Sequence, residues 1–322
     1  WSIANMLTAL ASGARSLGVF RFLLGLGEAG NYTAAPKAVG EWFDVKQRGL
    51  AVGIYTAGAM VGATIAPPLI AFLAMRYGWR WAFVTTGLAG VLWIVPWLLL
   101  YHGAPQRAEP APPAAAAGWA HWRDALSRRS VWLLIVARML TDPVWYFYLF
   151  WFPKYLTDVR GLSLAELGAV SWFVYLAADA GSLAGGWVSG YLIGRGAPAI
   201  ASRRRVMTAA ALMVPAGAIV ATGVSLTASL ALGALVAFSH LTWQVTMGAL
   251  IVDLYPPRIM ATLFGIIAAG SGFGGMLSTQ LVGYAVTNLS WTPVFASMAL
   301  LHPAAALLIR YVQPSPDSPE HA

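Results

Sequence analysis

GIYTAGAMVG (53–62) returns later in the chain as GIIAAGSGFG (265–274), an offset of 212 residues. The match extends in both directions without a gap. Trp79 and Phe83 recur as Trp291 and Phe295, while Glu41, Phe43 and Lys46 meet Asp253, Tyr255 and Arg258. An internal repeat outranks any single motif as evidence of architecture. Each copy here contains apolar stretches of about 20 residues, the length that crosses a bilayer as a helix. The repeat therefore describes an all-α, polytopic membrane bundle built by duplication.

The composition agrees. Of 322 residues, 59% are hydrophobic and 10% charged, with a mean hydropathy of +0.67; soluble domains carry about 25% charged residues. There is no cysteine, which excludes disulfides and thiolate metal sites. A net charge of +8 would suit nucleic acid, but the placement of the charges follows membrane topology, so no nucleic-acid partner is expected. The apolar pattern predicts ten spans, at about 1–17, 20–40, 49–74, 79–101, 130–153, 164–193, 206–224, 226–251, 260–285 and 290–312. One set of loops is rich in Lys and Arg, including Lys37, Lys46, Arg48, Arg128, Arg129 and the run Arg203 to Arg205. That side should be cytoplasmic, which puts both ends of the chain there and the protein in the cytoplasmic, or inner, membrane.

The one long connection, 102–129, opens Ala/Pro-rich and closes on WAHWRDALSRR (119–129), which reads as a short amphipathic surface helix. It separates a partial first bundle (1–101) from a six-helix second bundle (130–312) and a cytoplasmic tail (313–322). The repeat pairs the first four spans with the last four and leaves the fifth and sixth unmatched. A 6+6 bundle without its first two helices accounts for this most simply. Trp1, opening directly on an apolar segment, fits a fragment.

The second span, FRFLLGLGEAGNYTAAPKAVGEWF (20–43), contains Arg21 and Glu28. Seven residues are two helical turns, so both lie on one face about 10 Å apart. Ionisable groups inside a span are costly, about 2.5–3.5 kcal/mol each on insertion scales, and usually face a cavity. Asn31 continues that face. At the repeat offset Glu28 corresponds to His240 and Asn31 to Trp243, so these should face the same cavity from the opposite half. Gln244 is placed to meet a hydroxyl group. In the fifth span Arg138 and Asp142 stand four apart and can pair; Pro143 should bend the helix there. The pair is either a moving gate or a structural neutralisation of two charges. Tyr146 inherits its face one turn on. Asp179, among small residues in YLAADAGSLAGG (175–186), reads as structural or conformational. GSGFGG (270–275) has the spacing of a dinucleotide fingerprint, but it lies in a span with no strand before it. Its repeat partners Gly58 and Gly62 favour helix packing instead. The sequence holds no readable metal cluster, phosphate loop or nucleophile–His–acid set, so neither an enzyme nor a cofactor is expected.

RFLLGLGEAGN (21–31), EWF (41–43), Arg48 to Ile54, APP (66–68) and GWRWAF (78–83) resemble the major facilitator superfamily, and within it the anion:cation symporter branch. DPVWYFYLFWFPKYL (142–156) and YLAADAGSLAGG (175–186) resemble that branch's hexuronate transporters. The resemblance runs from family helix three to family helix twelve. It implies that Arg21 binds an organic anion and that Glu28 couples the anion to protons. The family's other main charged residues lie on its first helix and have no counterpart in this sequence. The expected function is proton-coupled symport of a sugar acid, galacturonate or glucuronate, by a monomer. Substrate contacts are expected from Arg21, Asn31, Tyr146, His240, Trp243 and Gln244. The alternatives are another organic anion (galactonate, glucarate, tartrate or phthalate) or an organophosphate antiporter.

Overall fold

The computed structural model describes residues 1–101 and 119–314. The Ala/Pro-rich part of the connection and the end of the tail lie outside them. Every element among the described residues is helical. The first half is α1 (Ser2–Thr8), α2 (Ala14–Trp42), α3 (Val45–Tyr77), α4 (Trp79–Leu92) and α5 (Ile94–Leu100). After α6 (Trp119–Ser127) come α7 (Arg129–Tyr146), a π-helical turn Phe147–Trp151 and α8 (Phe152–Asp158). They are followed by α9 (Leu164–Gly194), α10 (Ala199–Met213), a 3-10 segment Val214–Thr222, α11 (Leu226–Leu254), α12 (Pro257–Asn288) and α13 (Trp291–Ile309).

Among the described residues eight segments are long and apolar enough to cross a membrane, against the ten expected. The differences lie at the front. The span expected at 1–17 is only α1, whose seven residues rise about 10 Å, a third of a bilayer core of about 30 Å. It is fixed to α4 by Asn5 Nδ2, which donates to Phe83 O (3.1 Å) and Thr86 Oγ1 (2.9 Å). α2 has the length, 29 residues, but Arg15, Arg21, Glu28, Lys37 and Glu41 interrupt its apolar run.

Helix ends follow local chemistry. Gly78, at φ +90°, separates α3 from α4, a conformation that costs a side-chain-bearing residue. Ser163 and Glu166 form a capping box at the start of α9. Pro143 sits inside α7, and the irregularity falls one turn beyond it, at the π turn. An extra residue in a turn rotates the remainder of the helix by about 100°. Phe147, Tyr148, Phe152, Tyr155 and Leu156 are all buried, packed with Val220 and Phe295. α6 is one-sided as its sequence implied: Ala125 and Leu126 pack against the second half while Trp122 and Arg123 are exposed.

The two halves meet along α3 and α9, where backbone touches backbone. A Cβ added at Gly49 would lie 2.8 Å from Gly186 O, and one at Gly53 would lie 2.8 Å from Ser182 O. One at Gly186 would collide with Gly49 O. Glycine is what permits this approach. Gly270 in α12 meets Ile135 O of α7 in the same way, at 2.6 Å, which gives GSGFGG its packing role. Gly58 and Gly62, its repeat partners, have nothing within 4 Å. Residues 1–101 contain no counterpart of α7 to pack on them.

Gly186→Val should therefore wedge α3 and α9 apart, at a cost of about 1–3 kcal/mol. Thermal unfolding in detergent should show a lower midpoint than Gly58→Val, which enters open space.

Candidate functional site

At one end of the glycine seam the halves are joined by a buried ion triad. Asp253, at the end of α11 and 2% exposed, accepts from two arginines. Arg48 Nη1 of α3 reaches Oδ1 at 3.1 Å, and Arg203 Nε of α10 reaches Oδ2 at 3.1 Å. The remaining donors are used as well. Arg203 Nη1 donates to Ser189 Oγ of α9 (2.6 Å) and Nη2 to Val45 O (2.8 Å); Arg48 Nε donates to Phe43 O (3.3 Å). Four elements from both halves thus close that end of the bundle. In the sequence Arg48 and Arg203 stand out only as topology markers. The usable signal was the repeat itself, which places Asp253 opposite Glu41 at the end of a span.

Further along the seam, α3, α7, α11 and α12 enclose a cavity of ≈ 70 Å³. Tyr55 and Thr56 line it from the first half, Arg138 and Gln244 from the second. Arg138 Nη1 donates to Gln244 Oε1, and Arg138 Nη2 pairs with Asp142 Oδ2 at 3.0 Å. The structure therefore brings Arg138, Asp142 and Gln244 together as a donor-and-acceptor wall whose charges cancel. Asp179 forms no ion pair among the described residues, and its Oδ1 is buried without a hydrogen-bond partner. The α3–α9 contacts pair Gly49 with Gly186 and Gly53 with Ser182; the same antiparallel register sets Thr56 opposite Asp179.

On α2, Arg21, Glu28 and Asn31 are exposed. The Arg21 guanidinium lies over the Phe83 ring, 5.2 Å from its centroid, a cation–π contact that holds it against α4. Asn31 lines a second, wider cavity of ≈ 1020 Å³ with Lys37, Gln47, Tyr55, Trp97 and Tyr101. Tyr146 is half-buried and stacks on Phe150.

Two expectations are corrected. His240 and Trp243 do not face a cavity: they are 2% and 0% exposed. The Trp145 ring stacks on His240 at 5.6 Å, and His240 Nδ1 is 3.2 Å from Nε2 of His302 on α13. Trp243 packs with Leu134, Met247 and Ala305. The repeat equates positions along helices, not their surroundings. Trp145 of α7 and His302 of α13 cover α11 at His240, and His302 also lies against Trp243, whereas Glu28 and Asn31 of α2 are exposed. Gln244, one residue and about 100° round from Trp243, is the position that reaches the cavity. His302 was missed because nothing in the sequence brings α13 to α11.

A duplicated helical bundle with a cavity between its halves, into which Arg138 and Gln244 project, is the architecture of a membrane transporter. Residues 1–242 match the model of the Major Facilitator Superfamily, and the chain belongs to that family: it is a multi-pass transporter and not an enzyme. It is 28% identical over 328 residues to the hexuronate transporter of Escherichia coli K12, covering 96% of this chain and 75% of that protein. It is 31% identical over 202 residues to the galacturonate transporter of Dickeya chrysanthemi, covering 58% of this chain and 59% of that one. Its fold is similar to the human organic anion transporter MFSD10, with a TM-score of 0.74 at 14% identity over 96% of this chain and 74% of that one.

Asp253→Asn leaves two buried arginines without the carboxylate they share. It should cost about 3–5 kcal/mol, read as a lowered unfolding midpoint. Lys37→Gln, which removes a partly exposed pair with Glu41 at 3.8 Å, should change stability by less than about 1 kcal/mol.

Proposed function

We propose that this chain carries a sugar acid of the hexuronate type, such as galacturonate or glucuronate, across the cytoplasmic membrane together with a proton. The observation that carries the reading is the contrast between the two sides of the molecule. α2 presents an arginine and a glutamate on one face, whereas the second half presents Arg138, already neutralised by Asp142 (3.0 Å), beside Gln244. A ligand with one carboxylate and several hydroxyls suits both surfaces. Arg21 attracts the carboxylate through charge-assisted, bidentate hydrogen bonds. The Arg138–Gln244 wall offers donors and acceptors to the polyol without a second net charge. The names of the relatives, for hexuronate and galacturonate, support the same class.

Glu28 carries the proton. Proton and substrate each strengthen the other's binding. The halves rock about the α3–α9 seam to expose the site to one side and then the other. The Asp253 triad closes one end. The lysine- and arginine-rich loops make that the cytoplasmic end, with both present termini on the same side. The bundle 1–101, the linker 102–129 and the bundle 130–312 work as one monomer. The alternative cargo is another sugar acid, galactonate or glucarate, and a thermal-shift panel of these acids separates it from the uronates.

In liposomes, Glu28→Gln should abolish pH-driven galacturonate accumulation yet retain galacturonate exchange. Accumulation that survives intact removes Glu28 as the proton carrier. Gln244→Ala should weaken galacturonate by about 2- to 10-fold, the loss of one hydrogen bond to a neutral group. A simple carboxylate without hydroxyls should be unaffected.

A further inference from the structure

Behind the cavity wall lies a polar pair that the transport site does not use. His240 of α11 and His302 of α13 are 2% and 0% exposed, with His240 Nδ1 and His302 Nε2 3.2 Å apart. Two neutral imidazoles hold two ring protons between them. One occupies the shared hydrogen bond, and whichever ring donates it, one outer nitrogen keeps a lone pair. The outer nitrogen of His302, Nδ1, is buried without a partner. So is Nε1 of Trp243, whose ring lies against His302 at 5.6 Å. Two orphaned polar atoms around one imidazole are unusual in a folded interior and point to a function beyond packing.

The surroundings set what this pair can do. α7 contributes Arg138 and Asp142, paired at 3.0 Å, and the Trp145 ring that stacks on His240 at 5.6 Å. α11 contributes the neutral Gln244, hydrogen-bonded to Arg138. α9 contributes Asp179, beside the buried Ala178 that packs with Trp145 and Leu241. Within α13 His302 is the one ionisable side chain, and the 3-10 segment packed on that helix has none. Arg138 is thus the cation between the imidazole pair and the cavity, and it lines the cavity itself.

We propose that His240 and His302 form a second proton-binding site that accepts one shared proton when an anion occupies the cavity in front of Arg138. The inference rests on the chain being a transporter of organic anions. A proton added to the pair turns its neutral hydrogen bond into a charge-assisted one, roughly twice as strong. The Arg138–Asp142 pair is neutral, so a carboxylate in the cavity adds a net negative charge, which favours a proton on the imidazoles. Anion and proton therefore favour each other's binding, and the favour is reciprocal. The proton enters with the anion from the side to which the cavity is open and leaves with it on the other. Glu28 and the imidazole pair then carry one proton each.

Nitrogen-15 histidine NMR of the full chain in detergent tests this directly. As pH falls from about 8 to 5, the range in which histidine titrates, His240 and His302 should shift together over a single one-proton step. Galacturonate should move that step to higher pH. Imidazoles that stay neutral throughout, with and without galacturonate, overturn the proposal. In His302→Gln the substrate-induced proton uptake should fall by about one and, by the same linkage, galacturonate should bind about tenfold or more weakly at a pH where the parent takes up that proton. Unchanged uptake in a variant that still binds also overturns it. A parent chain that ignores galacturonate but shows the one-proton step refutes the cargo and sustains the proton site.

Discussion

Asp253 holds the molecule in the shape described. Its carboxylate is buried between Arg48 and Arg203, at 3.1 Å from each, and those arginines come from opposite halves of the bundle. Removing one partner from such a group is far more costly than removing the whole set, because the remaining charge stays buried. The triad therefore acts as an all-or-nothing clasp. While it is made, α3 lies on α9, the cavity beside Thr56 and Arg138 is closed at that end, and α2 rests against α11 and α12. Opening that end requires water to reach three charged groups at once.

With the clasp made, the polar groups fall into two populations that differ in kind. Arg21 and Glu28 sit on an exposed face of α2. Arg138 and Asp142 have already cancelled each other, and Gln244 extends the wall they form. Between the wall and the far side of the bundle, His240 and His302 make a further polar layer, reached electrostatically through Arg138.

Much of this was legible from the residues. The 212-residue offset gave the duplicated helical architecture and assigned GSGFGG to packing, which Gly270 against Ile135 O bears out. The spacing of Arg138 and Asp142 gave their pair. What could not be read was neighbourhood. The offset correctly equates Glu28 with His240 along their helices, but burial is set by the helices alongside, and these differ between α2 and α11. Asp253 looked like one more acid at a span end because its partners lie 50 and 205 residues away. The first span failed for a different reason: residues 1–17 are apolar enough to suggest a crossing, yet α1 stops at Thr8 and a new helix starts after Gly13, extended at φ −176°.

The α3–α9 seam is built from main chain almost without side chains. A contact between side chains must immobilise rotamers each time it forms, at up to about 2 kcal/mol for a long one. Glycine on glycine has none to immobilise. Docking and undocking this seam therefore carries little side-chain entropy in either direction. The largest contact between the halves is thus one that little rotamer loss opposes.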